Sequence, residues 1–278
     1  MRFGLGLTVA YDGTGFHGFQ AQSGLRCVQS ELAKVATSIC RHDVEIRGAS
    51  RTDAGVHAEG QLVAFDTDRE LTPRRWVQAF NRYLPPDLAV TDVQPVEVGY
   101  QPRFDAQDKL YRYVFHVGVS RDPLWRHRAW HLGRQIPFCF DDVGEVRGAR
   151  HDLDLAAMHR AAAALVGTHD FCAFRASSDT REDTRRTMLR IDLLENYQGN
   201  PYLLALEVEG TAFMKNMVRI MAGTLIAVGR GRLAADRLAE LLVAGADRRA
   251  LGDTAPPEGL TLIRVRTGRL SEAAHSHV

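Results

Sequence analysis

The chain has 278 residues, 45% of them hydrophobic and 25% charged, with a formal net charge of +1 at pH 7. That balance excludes a disordered chain, which would be poorer in apolar residues and further from neutrality. No run of about 18 consecutive apolar residues exists to make a transmembrane helix, and Met1–Ala10 is too short and too broken by glycine for a secretory core, so a cytoplasmic protein with no membrane partner is expected.

Residues 3–10 predict a strand. Val28, Leu32, Val35, Ala36 and Ile39 recur at helical spacing and predict a helix over 28–40. Strands are expected at 44–49 and 60–67. A second helix follows over 73–83, with Thr72 as N-cap and Pro73 in its first turn, and then a strand over 88–96. This order, β-α-β-β-α-β, is the split βαβ arrangement. The second half repeats it loosely. A strand over 108–117 leads into an irregular insertion at about 118–150, and Asp154 caps a helix over 155–166. Residues 187–197 and 202–209 alternate as a hairpin around Gly199-Asn200-Pro201. Helices over 213–228 and 234–243 and a strand over 261–266 complete the chain. The expected fold class is α+β: two ferredoxin-like, RRM-like subdomains, 1–104 and 105–269, with antiparallel sheets flanking a central cleft. Their boundary should fall near 98–107, and the tail over 270–278 is expected to be disordered.

Of the 35 basic residues only Lys34, Lys109 and Lys215 are lysines. A codon bias explains a general excess of arginine. The stretch from Arg103 to Arg134 says more, because seven basic residues face three acidic ones there and are interleaved with Phe104, Tyr111, Tyr113, Trp125 and Trp130. Basic residues laced with aromatics are one footprint of nucleic-acid binding, although strands carry aromatics in any case. The four cysteines, 27, 40, 139 and 172, form no CxxC pair and read as reduced thiols. His127 and His131 have i,i+4 spacing, but they lack the further ligands a metal site needs. No Gly-rich dinucleotide turn or P-loop is present.

The densest chemistry lies in Gly48-Ala49-Ser50-Arg51-Thr52-Asp53-Ala54-Gly55-Val56-His57-Ala58, between two predicted strands. Small residues let the backbone turn sharply and let a ligand come close. A carboxylate beside a fixed cation stays ionised and available as nucleophile or base. The same residues make good turn chemistry, and on physics alone the turn is the heavier reading.

This segment resembles the signature of the TruA family of tRNA pseudouridine synthases, and further stretches resemble that family in order along the chain. They are Tyr11-Asp12-Gly13 with Phe16, Gly18 and Gln20; Val28-Gln29; Asn81 with Leu84-Pro85 and Asp87; and Arg103-Phe104-Asp105-Ala106 with Tyr111-Arg112-Tyr113. Asp170-Phe171 with Phe174-Arg175 follows, then Phe213 with Met217-Val218-Arg219, Gly223-Thr224-Leu225 and Val228-Gly229, and last Ala255-Pro256-Pro257 with Gly259-Leu260. Ser50, Gln101-Pro102 and Lys215-Asn216 depart from the family pattern, and Gln101 and Lys215 are candidates to tune RNA contacts.

The resemblance implies an isomerase with an RNA-binding catalytic cleft. It would break the C1′–N1 bond of a uridine, rotate the base and rejoin it through C5, with no redox cofactor, nucleotide or metal. Asp53 would be the essential carboxylate. Arg51 would help hold the target base out of its helix, and extrusion of a stacked base costs a few kcal/mol. Tyr111 would stack on the uracil, and Arg219, on an otherwise apolar helix, would partner the Asp53 carboxylate. A structural or RNA-contacting role is favoured for His57, and cleft shaping or turn capping for Asp12. The implied substrate is the tRNA anticodon stem-loop, at about positions 38 to 40, gripped by a homodimer. Two rivals stand beside this. One is a non-catalytic RNA-binding module of paired ferredoxin-like units, though the aromatic RNP1 pattern is missing. The other is a glycoside-type hydrolase pairing Asp53 with Asp12 or Asp105, which needs two carboxylates about 5–10 Å apart.

Overall fold

The computed structural model describes residues 2–135 and 152–270. The expected tail, from 271 on, and residues 136–151 of the expected insertion lie outside the described residues. The chain is α+β and divides into two compact units, Met1–Lys109 with Thr261–Val278, and Leu110–Leu260. The last strand thus belongs mainly to the first unit, whereas the sequence pattern assigns everything from 105 to 269 to the second.

In the first unit β1 (Phe3–Tyr11) pairs antiparallel with both β3 (His57–Thr67) and β4 (Leu88–Val96). The two-residue β2 (Arg47–Gly48) continues on the free side of β3. That is the expected split βαβ topology. β10 (Leu260–Thr267) adds to the same side of β3, in parallel, with Thr261 opposite His57 and Leu262 opposite Ala58. This pairing, together with that of Tyr11 with Ala58 on the β1 side, accounts for β3 beginning at His57 and not at 60. The approach is close: a Cβ on Gly60 would lie 2.4 Å from the Ile263 carbonyl oxygen.

The helices α1 (Val28–Cys40) and α2 (Pro73–Tyr83) form where periodicity and caps place them. The five apolar residues read from the α1 spacing are all buried, and a fully buried valine, leucine or isoleucine is worth roughly 1.5–3 kcal/mol. The Thr72 hydroxyl accepts the Arg75 N–H to cap α2. From α2, Trp76 and Phe80 meet Phe65 of β3 edge-on, with ring centroids 5.6 and 5.8 Å away. Asn81 forms a reciprocal pair with Val90 of β4, donating to its carbonyl at 2.7 Å and accepting its N–H at 2.8 Å.

A single turn, α3 (Pro102–Asp105), leads into β5 (Ala106–His116), which carries the chain from the first unit into the second. There the sheet order is β5-β9-β8-β7, formed with β7 (Gly167–Asp170), β8 (Arg185–Glu195) and β9 (Leu203–Gly210). A short β6 (Trp130–His131) pairs with the end of β5. The β8–β9 hairpin turns through left-handed Asn196, Gln198 and Gly199. Asp154 caps α4 (Leu155–Ala164) by accepting the Ala157 N–H. α5 runs Met217–Gly229, starting four residues later than expected because Asn216 adopts a left-handed φ of 62°. The helix expected at 234–243 shrinks to one turn, α6 (Arg237–Glu240).

The aromatics of the basic stretch are mostly structural. Tyr113 and Phe115 are fully buried, Tyr111 nearly so, and Trp125 packs against Val114, Ala129, Leu203 and Ala205; only Phe104 is largely exposed. His131 bonds the Gly118 carbonyl, while His127 faces solvent. Among the described residues no helix is long and apolar enough to cross a membrane.

Candidate active site

The loop between β2 and β3, residues 49–56, holds Arg51 and Asp53, with Arg51 exposed and Asp53 half-buried. Main-chain bonds shape it. The Ala49 N–H still donates to the Leu62 carbonyl at 2.8 Å, and the Val56 N–H closes a turn onto the Asp53 carbonyl at 3.2 Å. The segment after β1 braces the loop from behind. The Phe19 N–H donates to the Thr52 carbonyl at 3.1 Å, and the Gly55 N–H to the Phe16 carbonyl at 3.3 Å. The Tyr11 and Thr52 hydroxyls share a buried bond of 2.8 Å.

Two glycines make this contact possible. A Cβ on Gly13 would lie 2.1 Å from the Val56 carbonyl oxygen. Gly18 has φ +92°, and a Cβ there would lie 2.8 Å from the Thr52 oxygen. Only glycine tolerates such approach and such a φ at no cost.

His57 and Asp12 both contact the turn that follows β1. The Gly13 N–H donates to His57 Nδ1 at 3.0 Å, so the buried ring fastens the brace to β3. Asp12 Oδ1 caps the turn over Gly13–Gly15, accepting from the Thr14 N–H at 3.0 Å and its hydroxyl at 2.6 Å. Asp105 accepts the Tyr100 hydroxyl at 2.7 Å, and burial with this carboxylate neighbour pushes the Tyr100 pKa up to about 12. Gln61, which the sequence motifs pass over, is fully buried on β3 and bonds the Ser50 backbone twice.

Asp87 anchors the brace. Its carboxylate binds both terminal nitrogens of Arg26 at 2.7 Å, and Arg26 lies over the Phe16 ring, 4.1 Å from its centroid. The paired guanidinium outweighs burial and holds the Asp87 carboxyl below the usual range. A lowered folded-state pKa contributes stability above the unfolded value of about 3.9 and loses it as pH falls further. Asp87→Asn is therefore expected to lower the melting temperature at neutral pH, with the difference from the parent shrinking as pH falls below about 3.9. Equal melting temperatures at pH 7 would count against the anchor.

Tyr111 and Arg219 belong to the second unit. Tyr111, on β5, is 6% exposed and meets Phe213 edge-on at 5.0 Å. Arg219 is half-buried on α5 and is not a free surface charge. Its Nε donates to the Ala255 carbonyl at 2.7 Å, and its own carbonyl accepts the Ala255 N–H at 3.1 Å. Asn216 Oδ1 accepts from Arg219 at 2.9 Å, which gives the Asn216 departure a positioning role. The segment behind it is pressed onto α5: a Cβ on Gly223 would lie 1.8 Å from the Asp253 carbonyl oxygen. Tyr113, below, donates to the Pro256 carbonyl at 2.7 Å and packs on Gly259; burial drives its phenol well above its ordinary pKa. Lys215 exposes its side chain while Asp179 accepts its N–H at 3.0 Å. Gln101 is exposed as well.

A carboxylate held in a glycine-backed loop, beside an exposed arginine and on a split βαβ unit, is compatible with the class of enzyme that the sequence resemblance implies. The comparisons with known proteins sharpen that class. The sequence matches the family described as tRNA pseudouridine synthase over residues 7–105 and 161–267, and the chain belongs to that family. It is 40% identical to the tRNA pseudouridine synthase A of Geobacter sulfurreducens over 94% of this chain and 98% of that one. It is 38% identical to the protein of the same name from Shouchella clausii, over 94% and 92%. For that of Acetivibrio thermocellus the identity is 36%, over 93% and 97%.

Proposed function

We propose that this protein isomerises uridine to pseudouridine in the anticodon stem-loop of tRNA, at about positions 38 to 40, with Asp53 as the essential carboxylate. The observation that carries the reading is the loop over 49–56, whose Thr52 carbonyl and Gly55 N–H are held by Phe19 and Phe16 of the segment after β1, with Gly13 and Gly18 in close contact. A reacting group needs that preorganisation, because misplacement by about 1 Å can cost 10²-fold in rate. Arg51, exposed two residues away, would take the space of an extruded base. Tyr111 would stack on the uracil, and Arg219 would lend its charge to the Asp53 carboxylate. Within its own unit the Arg219 guanidinium is oriented by the Ala255 carbonyl and by Asn216. The protein is expected to act as a homodimer in the cytoplasm, reading the shape and phosphates of tRNA more than its base sequence.

Purified protein incubated with an unmodified tRNA transcript tests this, with pseudouridine mapped by carbodiimide-blocked primer extension. New stops in the anticodon arm are expected. Stops elsewhere discard the region. Tight binding without stops favours the non-catalytic RNA-binding module, and release of free uracil favours the hydrolase.

A further inference from the structure

The β2–β3 ladder pairs Arg47 with Ala64 and Gly48 with Val63, and the Ala49 N–H still reaches the Leu62 carbonyl. In continuing register the next residue, Ser50, would face Gln61. At that point the backbone leaves the sheet, and the Gln61 side chain takes over the pairing. Its Nε2 donates to the Ser50 carbonyl at 2.8 Å, and its Oε1 accepts the Ser50 N–H at 3.2 Å. The carboxamide stands in for a strand peptide. It satisfies both polar groups of Ser50 and holds them one side chain's length further from β3 than a ladder would.

Nothing about the sheet itself asks for glutamine here. Gln61 is completely buried, and Leu62, Val63, Ala64 and Phe65 follow it, all buried. A polar group in such a run is kept only if its bonds are made, and both of these go to the loop. The next fixed residue is Thr52, held by Phe19 and Tyr11. Ser50 and Thr52 together set the direction in which the chain delivers Asp53.

We infer that Gln61 is a positioning residue for the reaction, acting through the Ser50 backbone on the placement of Asp53. The inference rests on the assignment of Asp53 as the essential carboxylate. Gln61→Glu is the informative substitution, because it keeps the shape of the side chain. The introduced carboxylate, when ionised, would still accept the Ser50 N–H but would turn lone pairs toward the Ser50 carbonyl. When protonated, it would donate again. Burial raises a carboxyl pKa, so both forms should be reached between about pH 6 and pH 9.

The measurement is the single-turnover rate on a tRNA transcript, relative to the parent at each pH, together with tRNA affinity and the melting temperature. Gln61→Glu is expected to run about 100-fold slower than the parent at the alkaline end and to recover toward it as pH falls, with affinity within about threefold throughout. Gln61→Leu should be slow at every pH. Parent-like rates for Gln61→Glu across the range overturn the inference. So does a rate loss matched by an equal loss of affinity with no recovery at low pH. If Gln61→Leu does not fold, Gln61→Glu alone decides, since one variant supplies both states. An Asp53→Ala control that still turns over would show instead that the Asp53 assignment has failed.

Discussion

Replacing Asp53 by Ala is expected to abolish pseudouridine formation and to leave tRNA binding nearly intact. Several bonds that shape the loop run through main-chain atoms of Thr52, Asp53 and Val56, which the substitution keeps. The Thr52 hydroxyl retains Tyr11, and Gly13 and Gly18 stay in contact. Loss of rate would therefore report lost chemistry and not a collapsed loop. A positioned acid or base alone contributes about 10²–10⁴-fold, and an essential carboxylate that also bonds the substrate should exceed that, so single-turnover product should fall by at least ~10⁴-fold. Filter binding with the same transcript gives the affinity. Turnover at the parent rate would sink the assignment.

Gly223→Ala is expected to destabilise the protein and to impair catalysis. In a helix interior, alanine for glycine normally gains about 1 kcal/mol. Here the new methyl would sit 1.8 Å from the Asp253 carbonyl oxygen, a backbone atom that cannot swing aside. Overpacking of that kind costs typically 1–3 kcal/mol and sometimes more, so after the helix gain a net loss of up to about 2 kcal/mol remains, toward the upper end because the clash is with backbone. At about 2–4 °C per kcal/mol for a chain of this size, the melting temperature should fall measurably. The segment pushed away includes Ala255, whose carbonyl holds Arg219. The rate at 25 °C should drop while the protein is still folded. A melting temperature at or above the parent's would show that the segment yields freely.

Elements governed by local spacing were legible. Helices over 28–40 and 73–83 and the strand over 88–96 appear with the bounds read from periodicity, Thr72 and Pro73. Elements governed by distant partners were not. β7 is four residues, Gly-Thr-His-Asp, with no alternation to betray it, and it exists because β8 pairs with it. The start of α5 depends on one left-handed asparagine. β10 was expected as a strand, but its parallel place against β3, about two hundred residues earlier, left no local mark. The candidate site divides in the same way. The 48–58 segment announced itself by composition, and Arg51, Asp53, Tyr111 and Arg219 came through motifs. Gln61 did not, because a glutamine in a strand carries no pattern until the backbone it serves is seen.

The pairing of β10 with His57 and Ala58 has a consequence for synthesis. A ribosome delivers residues 1–109 long before residue 261, yet among the described residues the exit of the 49–56 loop into β3 is paired on that side by the last strand. The nascent N-terminal half must wait with this edge open, exposed to wrong pairing, while about 150 further residues emerge at roughly 5–20 per second. The enzyme is thus completed from both ends at once. Its chemistry would switch on only when translation has passed β10, so a prematurely released fragment would lack a finished loop rather than act as a smaller enzyme.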